Sequence, residues 1–231
     1  MAPVGPFLYR AAGAAYFTWI LSSIPDIPEM RGFGGHTQYL TIDGLGLTVA
    51  TYYVGALAAL APRLQGAWEF LLAVTLPIEL VIAMLYWVLV ALSPDNMYYG
   101  DEPLLPLPLD LGLHLVPAAL LLVSFVAHRR SPAAAAEAVN QRPGAARRLE
   151  ATRAQVYFLV VFAAGYAGWL HVTRHYNGFF AYPFLHMLNL PQRLVFCAGA
   201  VVLLFAVYSS AFCITAGLRS SGRPTQAKKQ P

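Results

Sequence analysis

The stretch Trp68–Leu92, WEFLLAVTLPIELVIAMLYWVLVAL, decides the fold class of this chain. Its apolar side chains run without the alternation that a half-buried strand or a barrel strand shows. A helix rises 1.5 Å per residue, so a run of this length exceeds the roughly 30 Å hydrocarbon core of a bilayer. The stretch therefore predicts a transmembrane helix.

Composition extends this prediction to the whole chain. Of its 231 residues 58% are hydrophobic and 11% are charged, whereas soluble domains carry roughly 25% charged residues. So few charges exclude both an ordinary soluble domain and a disordered chain. The net charge of +4 does not indicate nucleic-acid binding, because the basic residues cluster between apolar runs, where membrane proteins carry them.

The sequence predicts an all-α polytopic membrane protein with six transmembrane helices in a bundle. The predicted spans lie near Phe7–Ile24, Leu40–Ala61, Trp68–Leu92, Pro108–Ala127, Gln155–His171 and Leu194–Leu218. We treat residues 1–231 as a single membrane domain with a linker at 128–154 and a disordered tail at 220–231. No pattern in the sequence indicates an oligomeric state.

Flanking charge predicts the orientation of these spans. Twelve of the fifteen lysines and arginines fall on one side of the predicted bundle. They are Arg10, Arg63, Arg129, Arg130, Arg142, Arg147, Arg148, Arg153, Arg219, Arg223, Lys228 and Lys229. The other side holds Arg31, Arg174 and Arg193. By the positive-inside rule both termini and the 128–154 linker face the cytosol. We expect the protein to reside in the endoplasmic reticulum or the plasma membrane.

Ionisable groups inside a membrane are costly, and Asp110 and His114 are the most informative pair. Four residues apart, they share one face of a helix near the entry of the fourth predicted span. A carboxylate one turn from an imidazole can fix its tautomer and raise its basicity. The alternative is structural: Asp110 caps the helix while His114 bonds a neighbouring helix.

A second polar motif precedes the second predicted span. Gly34 and Gly35 predict a tight backbone turn, and Thr41 follows at the water–lipid boundary. The hydroxyl of a helical threonine commonly donates a hydrogen bond to a backbone carbonyl of the preceding turn and has no further role. The predicted topology nevertheless brings Thr41 to the same membrane face as His114. Five of the six histidines fall on that face, which indicates a polar cavity there. They are His36, His114, His171, His175 and His186.

Glu79 lies near the middle of the third predicted span. It is either a protonated carboxyl bonded to backbone freed by Pro77 or a polar floor to the cavity. Tyr86 and Trp87 read as interfacial aromatics. The sequence has no zinc, nucleophile-elbow or phosphate-loop motif, and we expect neither a metal nor a cofactor.

Three segments, in this order and spacing, resemble the androgen-induced gene 1 family, which includes the androgen-dependent TFPI-regulating protein. They are Gly34-Gly35 with Tyr39-Leu40-Thr41; Asp110-Leu111-Gly112-Leu113-His114; and His175 with Gly178 and Tyr182-Pro183-Phe184-Leu185. The resemblance covers roughly Tyr9 to Leu218.

This resemblance implies a six-span membrane hydrolase that cleaves fatty acid esters of hydroxy fatty acids, with Thr41 as nucleophile and His114 as base. Asp110 is our addition, as the group that orients His114. We expect His175, Asn177, Tyr182 and Glu79 to contribute to the substrate cavity. The expected partners are a lipid ester and the bilayer, and not nucleic acid.

A non-enzymatic membrane protein is the alternative, either haem-binding or a regulatory scaffold. Haem would need two histidines that face each other at similar depth, and His114 with His171 are the candidates. A transporter is less favoured, because only Glu79 and His114 lie well inside predicted spans.

Overall fold

The fold is described by a computed structural model for residues 4–98, 105–130 and 145–221. Eight α-helices follow one another in this part of the chain, joined in places by single 3₁₀ turns, and no strand occurs among these residues. The helices are α1 (Val4–Ser22), α2 (Leu40–Leu60), α3 (Gln65–Leu92), α4 (Leu107–His114), α5 (Val116–Arg130), α6 (Ala145–Asn177), α7 (Phe184–Met187) and α8 (Leu190–Ser221). The predicted all-α class is confirmed.

Within residues 4–98, 105–130 and 145–221, four or five helical segments are long and apolar enough to span a membrane. The four helical segments that qualify are Leu40–Leu60, Pro62–Leu92, Glu150–Asn177 and Leu190–Ala211. A fifth span results if α4 and α5 count as one. Helix α1, the predicted first span, is not among them, so the six-span bundle stays a prediction.

The predicted fourth span is broken in the middle. Helices α4 and α5 meet at an angle of 45°, and Leu115 between them leaves helical geometry at φ −136° and ψ −49°. Pro117 lies just beyond the break, where its ring and missing N–H oppose a continuous helix. The break ends α4 at His114 and so fixes where that imidazole lies.

Helix α3 is the central element. It packs against α2, α5, α6 and α8, and 61% of the residues in its most apolar 18-residue stretch are buried. In the corresponding stretches of α6 and α8, only 17% and 11% of the residues are buried. Their exposed apolar surface faces the hydrocarbon, because such a face is favourable only in lipid.

Helices α1, α3 and α6 end, and α2, α4 and α8 begin, at one end of the bundle, which we call the Thr41 end. The predicted linker 128–154 is helical at residues 128–130 and 145–154, and its centre, 131–144, lies outside the described residues. Of the predicted tail 220–231, residues 222–231 also lie outside them.

Candidate active site

The glycine pair forms the predicted tight turn at the Thr41 end. Gly34 and Gly35 adopt φ values of +90° and +52°, which side chains with a Cβ rarely tolerate. A Cβ on Gly34 would also lie 2.9 Å from Cγ2 of Thr173. Trp169 Nε1 donates to the carbonyl of Thr37 at 2.9 Å. The turn is thereby held against α6.

Asn177 also holds this turn, and it lines neither cavity described below. Its Oδ1 accepts from Phe33 N at 2.7 Å, and its Nδ2 donates to Phe33 O at 2.9 Å and to Gln38 Oε1 at 2.8 Å. His175 is exposed and packs edge-on against Tyr176. The structure does not bring these two predicted cavity residues to Thr41.

Thr41 lies in the first turn of α2, where its side chain is 8% exposed. The amide of Leu40 donates to the hydroxyls of Tyr166 and Tyr182 at 2.9 and 2.8 Å. Tyr166 in turn donates to Gln38 O at 2.9 Å. The first amides of a helix lack intrahelical acceptors, and the tyrosine hydroxyls satisfy one of them here. Tyr182 is thus placed beside Thr41.

His114 is 7% exposed at the end of α4. Its Nδ1 lies 2.7 Å from Asp110 Oδ1 and 3.2 Å from Asp110 O. An Nδ1–H that donates to the carboxylate leaves Nε2 as the nitrogen free to accept a proton. The predicted orienting contact of Asp110 with His114 is therefore formed.

Tyr86 completes this contact. Its place in the sequence indicates an interfacial aromatic residue and does not predict this role. Its ring is stacked on that of His114, with centroids 3.4 Å apart and planes at 5°. Its hydroxyl donates to the same Asp110 Oδ1 at 2.6 Å and bonds the Tyr98 hydroxyl at 2.7 Å. The available signal was a tyrosine inside an apolar run, since a buried phenol needs a polar partner.

Two largely apolar cavities meet at Thr41. The first, about 150 Å³ and partly open to the surroundings, lies between α3, α6 and α8. The second, also about 150 Å³, lies under the segment that connects α1 to α2 and is lined by His114. Both cavities are lined by Thr41, Tyr86, Met97 and Tyr182.

Thr41 and His114 both line the second cavity. No hydrogen bond joins these two described side chains. Hydrogen bonds between reacting groups are commonly long or absent before a substrate binds. The arrangement offers a hydroxyl, an oriented imidazole and room for apolar chains on both sides of the hydroxyl.

Glu79 lies away from this site. It is 1% exposed, and its Oε1 accepts from the Thr48 hydroxyl of α2 at 2.8 Å. The partner is therefore a side chain and not the backbone freed by Pro77. Glu79 lines neither cavity, so its place fits a structural contact between α2 and α3 rather than a cavity floor.

The two histidines considered for haem do not meet. His114 is buried against Tyr86, whereas His171 is exposed and lies edge-on to Phe180. His171 lines neither of the two cavities. This placement gives no support to the haem-binding alternative.

Comparison with known proteins identifies the family. The family model described as FAR-17a/AIG1-like protein matches residues 6–214. A UPF0641 membrane protein of Schizosaccharomyces pombe (strain 972) is 25% identical over 208 residues, which cover 87% of this chain and 86% of that protein. No solved structure matches the chain. This all-helical membrane protein belongs to the FAR-17a/AIG1-like protein family.

Proposed function

We propose that this protein is an integral membrane hydrolase that cleaves the ester bond of fatty acid esters of hydroxy fatty acids. Thr41 is the nucleophile and His114 the general base. One observation carries the proposal: Thr41 lies where two apolar cavities meet, and one of them also holds an imidazole oriented by a carboxylate.

The two cavities support an ester in the middle of a lipid. A substrate whose scissile carbonyl is at Thr41 needs space for one hydrocarbon arm on each side. Each cavity offers a volume of about 150 Å³ and is lined mainly by apolar side chains, which suits a hydrocarbon arm. An ester at the end of a chain would leave one of them unused.

The reaction is written as two acyl transfers. His114 Nε2 takes the proton of Thr41 Oγ1 as that oxygen attacks the ester carbonyl carbon. The bond to the hydroxy fatty acid breaks, and its oxygen leaves with the proton from His114. Water then attacks the acyl-Thr41 carbonyl, gives a proton to His114 and releases the fatty acid, while Thr41 Oγ1 takes the proton back.

Asp110 and Tyr86 act as positioning residues. Asp110 holds the Nδ1–H of His114 at 2.7 Å, so Nε2 faces the cavity as an acceptor. Tyr86 holds the imidazole plane by stacking and holds the carboxylate by its hydroxyl. Tyr182, whose hydroxyl accepts from Leu40 N at 2.8 Å, is our candidate hydroxyl donor for the oxyanion that forms during attack.

The cavities also separate lipid from water. The first is bordered by the poorly buried helices α6 and α8, so hydrocarbon reaches it. The second is lined by the segment that connects α1 to α2, at the end of the bundle, and we propose that water reaches Thr41 from this side. We assign both termini to the cytosol, the Thr41 end to the opposite face, and the protein to the endoplasmic reticulum or plasma membrane.

Hydrolysis by purified variants tests the proposal. Thr41→Ala and His114→Ala are each expected to lower kcat by at least about 10³-fold, because nucleophile and base act as a unit. Thr41→Ser keeps a hydroxyl and retains part of the activity. Thr48→Ala, on the same helix but bonded to Glu79, is the matched control.

A covalent label provides the second readout. A fluorophosphonate or activated-carbamate probe is expected to modify Thr41, and the label is expected to disappear in Thr41→Ala. Near-wild-type turnover by Thr41→Ala would show that the nucleophile assignment is wrong.

A further inference from the structure

Two arginines lie at the rim of the first cavity. Arg174 on α6 follows the cavity residue Leu170 by four positions, and Arg193 on α8 precedes the cavity residue Phe196 by three. Residues three or four apart share one face of a helix. Both arginines therefore continue the cavity walls by one turn toward the Thr41 end.

Both guanidinium groups converge on one buried ring. Cζ of Arg193 lies 4.5 Å, and Cζ of Arg174 5.5 Å, from the centroid of Phe180. Arg193 Nε also donates to the carbonyl of Leu185 at 2.9 Å, and Leu185 lines the first cavity. Cation–π contacts of this kind hold a guanidinium while its other N–H donors stay available.

The electrostatics of His186 agree with this convergence. The pKa of His186 is lowered mainly by desolvation, and the positive charges of Arg174 and Arg193 lower it further. Its Nε2 accepts a hydrogen bond from Phe180 N at 3.0 Å, so that nitrogen is unprotonated. The two arginine charges therefore act on one small volume beside Phe180.

Neither arginine has a carboxylate partner among the residues that the structure describes. Arg31, the third basic residue of this end, is paired with Asp26 at 2.8 Å. The sequence predicts three basic residues at this end and twelve at the other. Two guanidinium groups that lie together with no carboxylate partner among the described residues suit the binding of an anionic oxygen group.

We propose that Arg174 and Arg193 bind the terminal carboxylate of one arm of the substrate, whose hydrocarbon fills the first cavity. This inference rests on the proposed function. Arg174 lies eight positions after Tyr166 on α6, a rise of about 12 Å, and Tyr166 contacts Leu40, the residue before Thr41. The carboxylate thus lies many carbons from the scissile ester, and the pair selects lipid esters with a free acid end over neutral lipids.

A matched pair of substrates tests this selection. One is a palmitoyl ester of hydroxystearic acid, and the other is the same ester with its terminal carboxyl converted to a primary amide. Palmitate release is measured for both. Wild-type kcat/KM is expected to be about tenfold higher for the acid, the value of one hydrogen bond to a charged group.

Four variants separate the effect of charge from that of structure. Arg174→Gln and Arg193→Gln are expected to raise KM for the acid about tenfold and to leave the amide unchanged. Arg193→Lys keeps the charge and is expected to keep the preference for the acid. Arg31→Gln removes the same charge from the same end and is expected to leave the ratio unchanged.

Binding gives a readout that does not depend on turnover. A fluorescent fatty acid is titrated into Thr41→Ala protein in phosphatidylcholine vesicles, with and without Arg174→Gln. A Kd raised about tenfold by Arg174→Gln supports the site. Phosphatidylglycerol that competes as strongly as free oleate would assign the pair to bilayer headgroups and overturn the proposal.

Two further outcomes are distinguishable. Equal kcat/KM for acid and amide in the wild type, or an unchanged fatty-acid Kd in Arg174→Gln, overturns the carboxylate site alone. Failure of the wild type to hydrolyse either substrate refutes the proposed function, and the Kd comparison then decides the carboxylate site by itself.

Discussion

The contact of Tyr86 with His114 and Asp110 allows a prediction in which two substitutions have different effects. Tyr86→Phe removes only the hydroxyl that donates to Asp110 Oδ1 at 2.6 Å. Tyr86→Leu also removes the ring that stacks on His114 with centroids 3.4 Å apart. If Tyr86 positions the base, Tyr86→Phe lowers kcat and Tyr86→Leu lowers it further.

The size of each effect follows from the contact that is lost. Asp110 keeps its bond to His114 in Tyr86→Phe, so we expect kcat to fall about tenfold, equivalent to about 1.4 kcal/mol. In Tyr86→Leu the imidazole can also tilt out of its plane. We expect kcat to fall by about a hundredfold or more, because small misplacements of a reacting group carry that cost.

The assay is release of the fatty acid from a saturating ester substrate by purified protein, with KM measured alongside. Little change in KM is expected, because the hydrocarbon arms are bound elsewhere in the cavities. Thermal stability of each variant is recorded by tryptophan fluorescence. Tyr53→Phe is the matched control, because Tyr53 is exposed and its hydroxyl contacts only Thr18, at 3.3 Å, among the described residues.

Two results would refute this reasoning. A Tyr86→Leu protein with wild-type kcat would show that the stacked ring does not position the base. A loss of kcat that follows the loss of Tm equally in Tyr86→Phe and Tyr53→Phe would assign the effect to general destabilisation.

Three further predictions address other parts of the site. Asp110→Asn, which can still accept from His114, is expected to lose less kcat than Asp110→Ala and to displace the pH–rate profile; a profile unmoved in both removes Asp110 from the mechanism. In a Cys213→Ser background, alkylation of Cys197 with a bulky maleimide fills part of the first cavity. It should lower kcat/KM for long-chain esters about tenfold or more while short acetyl esters are still cleaved; equal effects on both would contradict the cavity assignment. Tags at both termini should be digested by protease in sealed vesicles whose cytosolic side faces outward, and protection of the C-terminal tag would contradict the six-span orientation.

Part of the site could be predicted because it is local. The glycine turn before α2 follows from the φ values that only glycine adopts readily. The contact of Asp110 with His114 follows from helical spacing, since residues four apart meet on one face. These interactions need only the residues of one segment and the geometry of one helix.

Other parts of the site could not be predicted, because they depend on contacts between distant segments. Tyr86 on α3 contacts Asp110 on α4, and Asn177 on α6 contacts Phe33. Glu79 finds its partner Thr48 on α2. No spacing along the chain encodes these pairs, since they depend on which helix faces pack together.

By itself the sequence determined the membrane class, the helical fold and the places where polar residues interrupt apolar runs. These follow from composition and from the length of each run, which add up residue by residue. The tertiary structure alone decided that Thr41 lies between two cavities and that Arg174 and Arg193 meet over Phe180. Cavities are the space that packed helices leave between them, so they exist only once every helix has its neighbours.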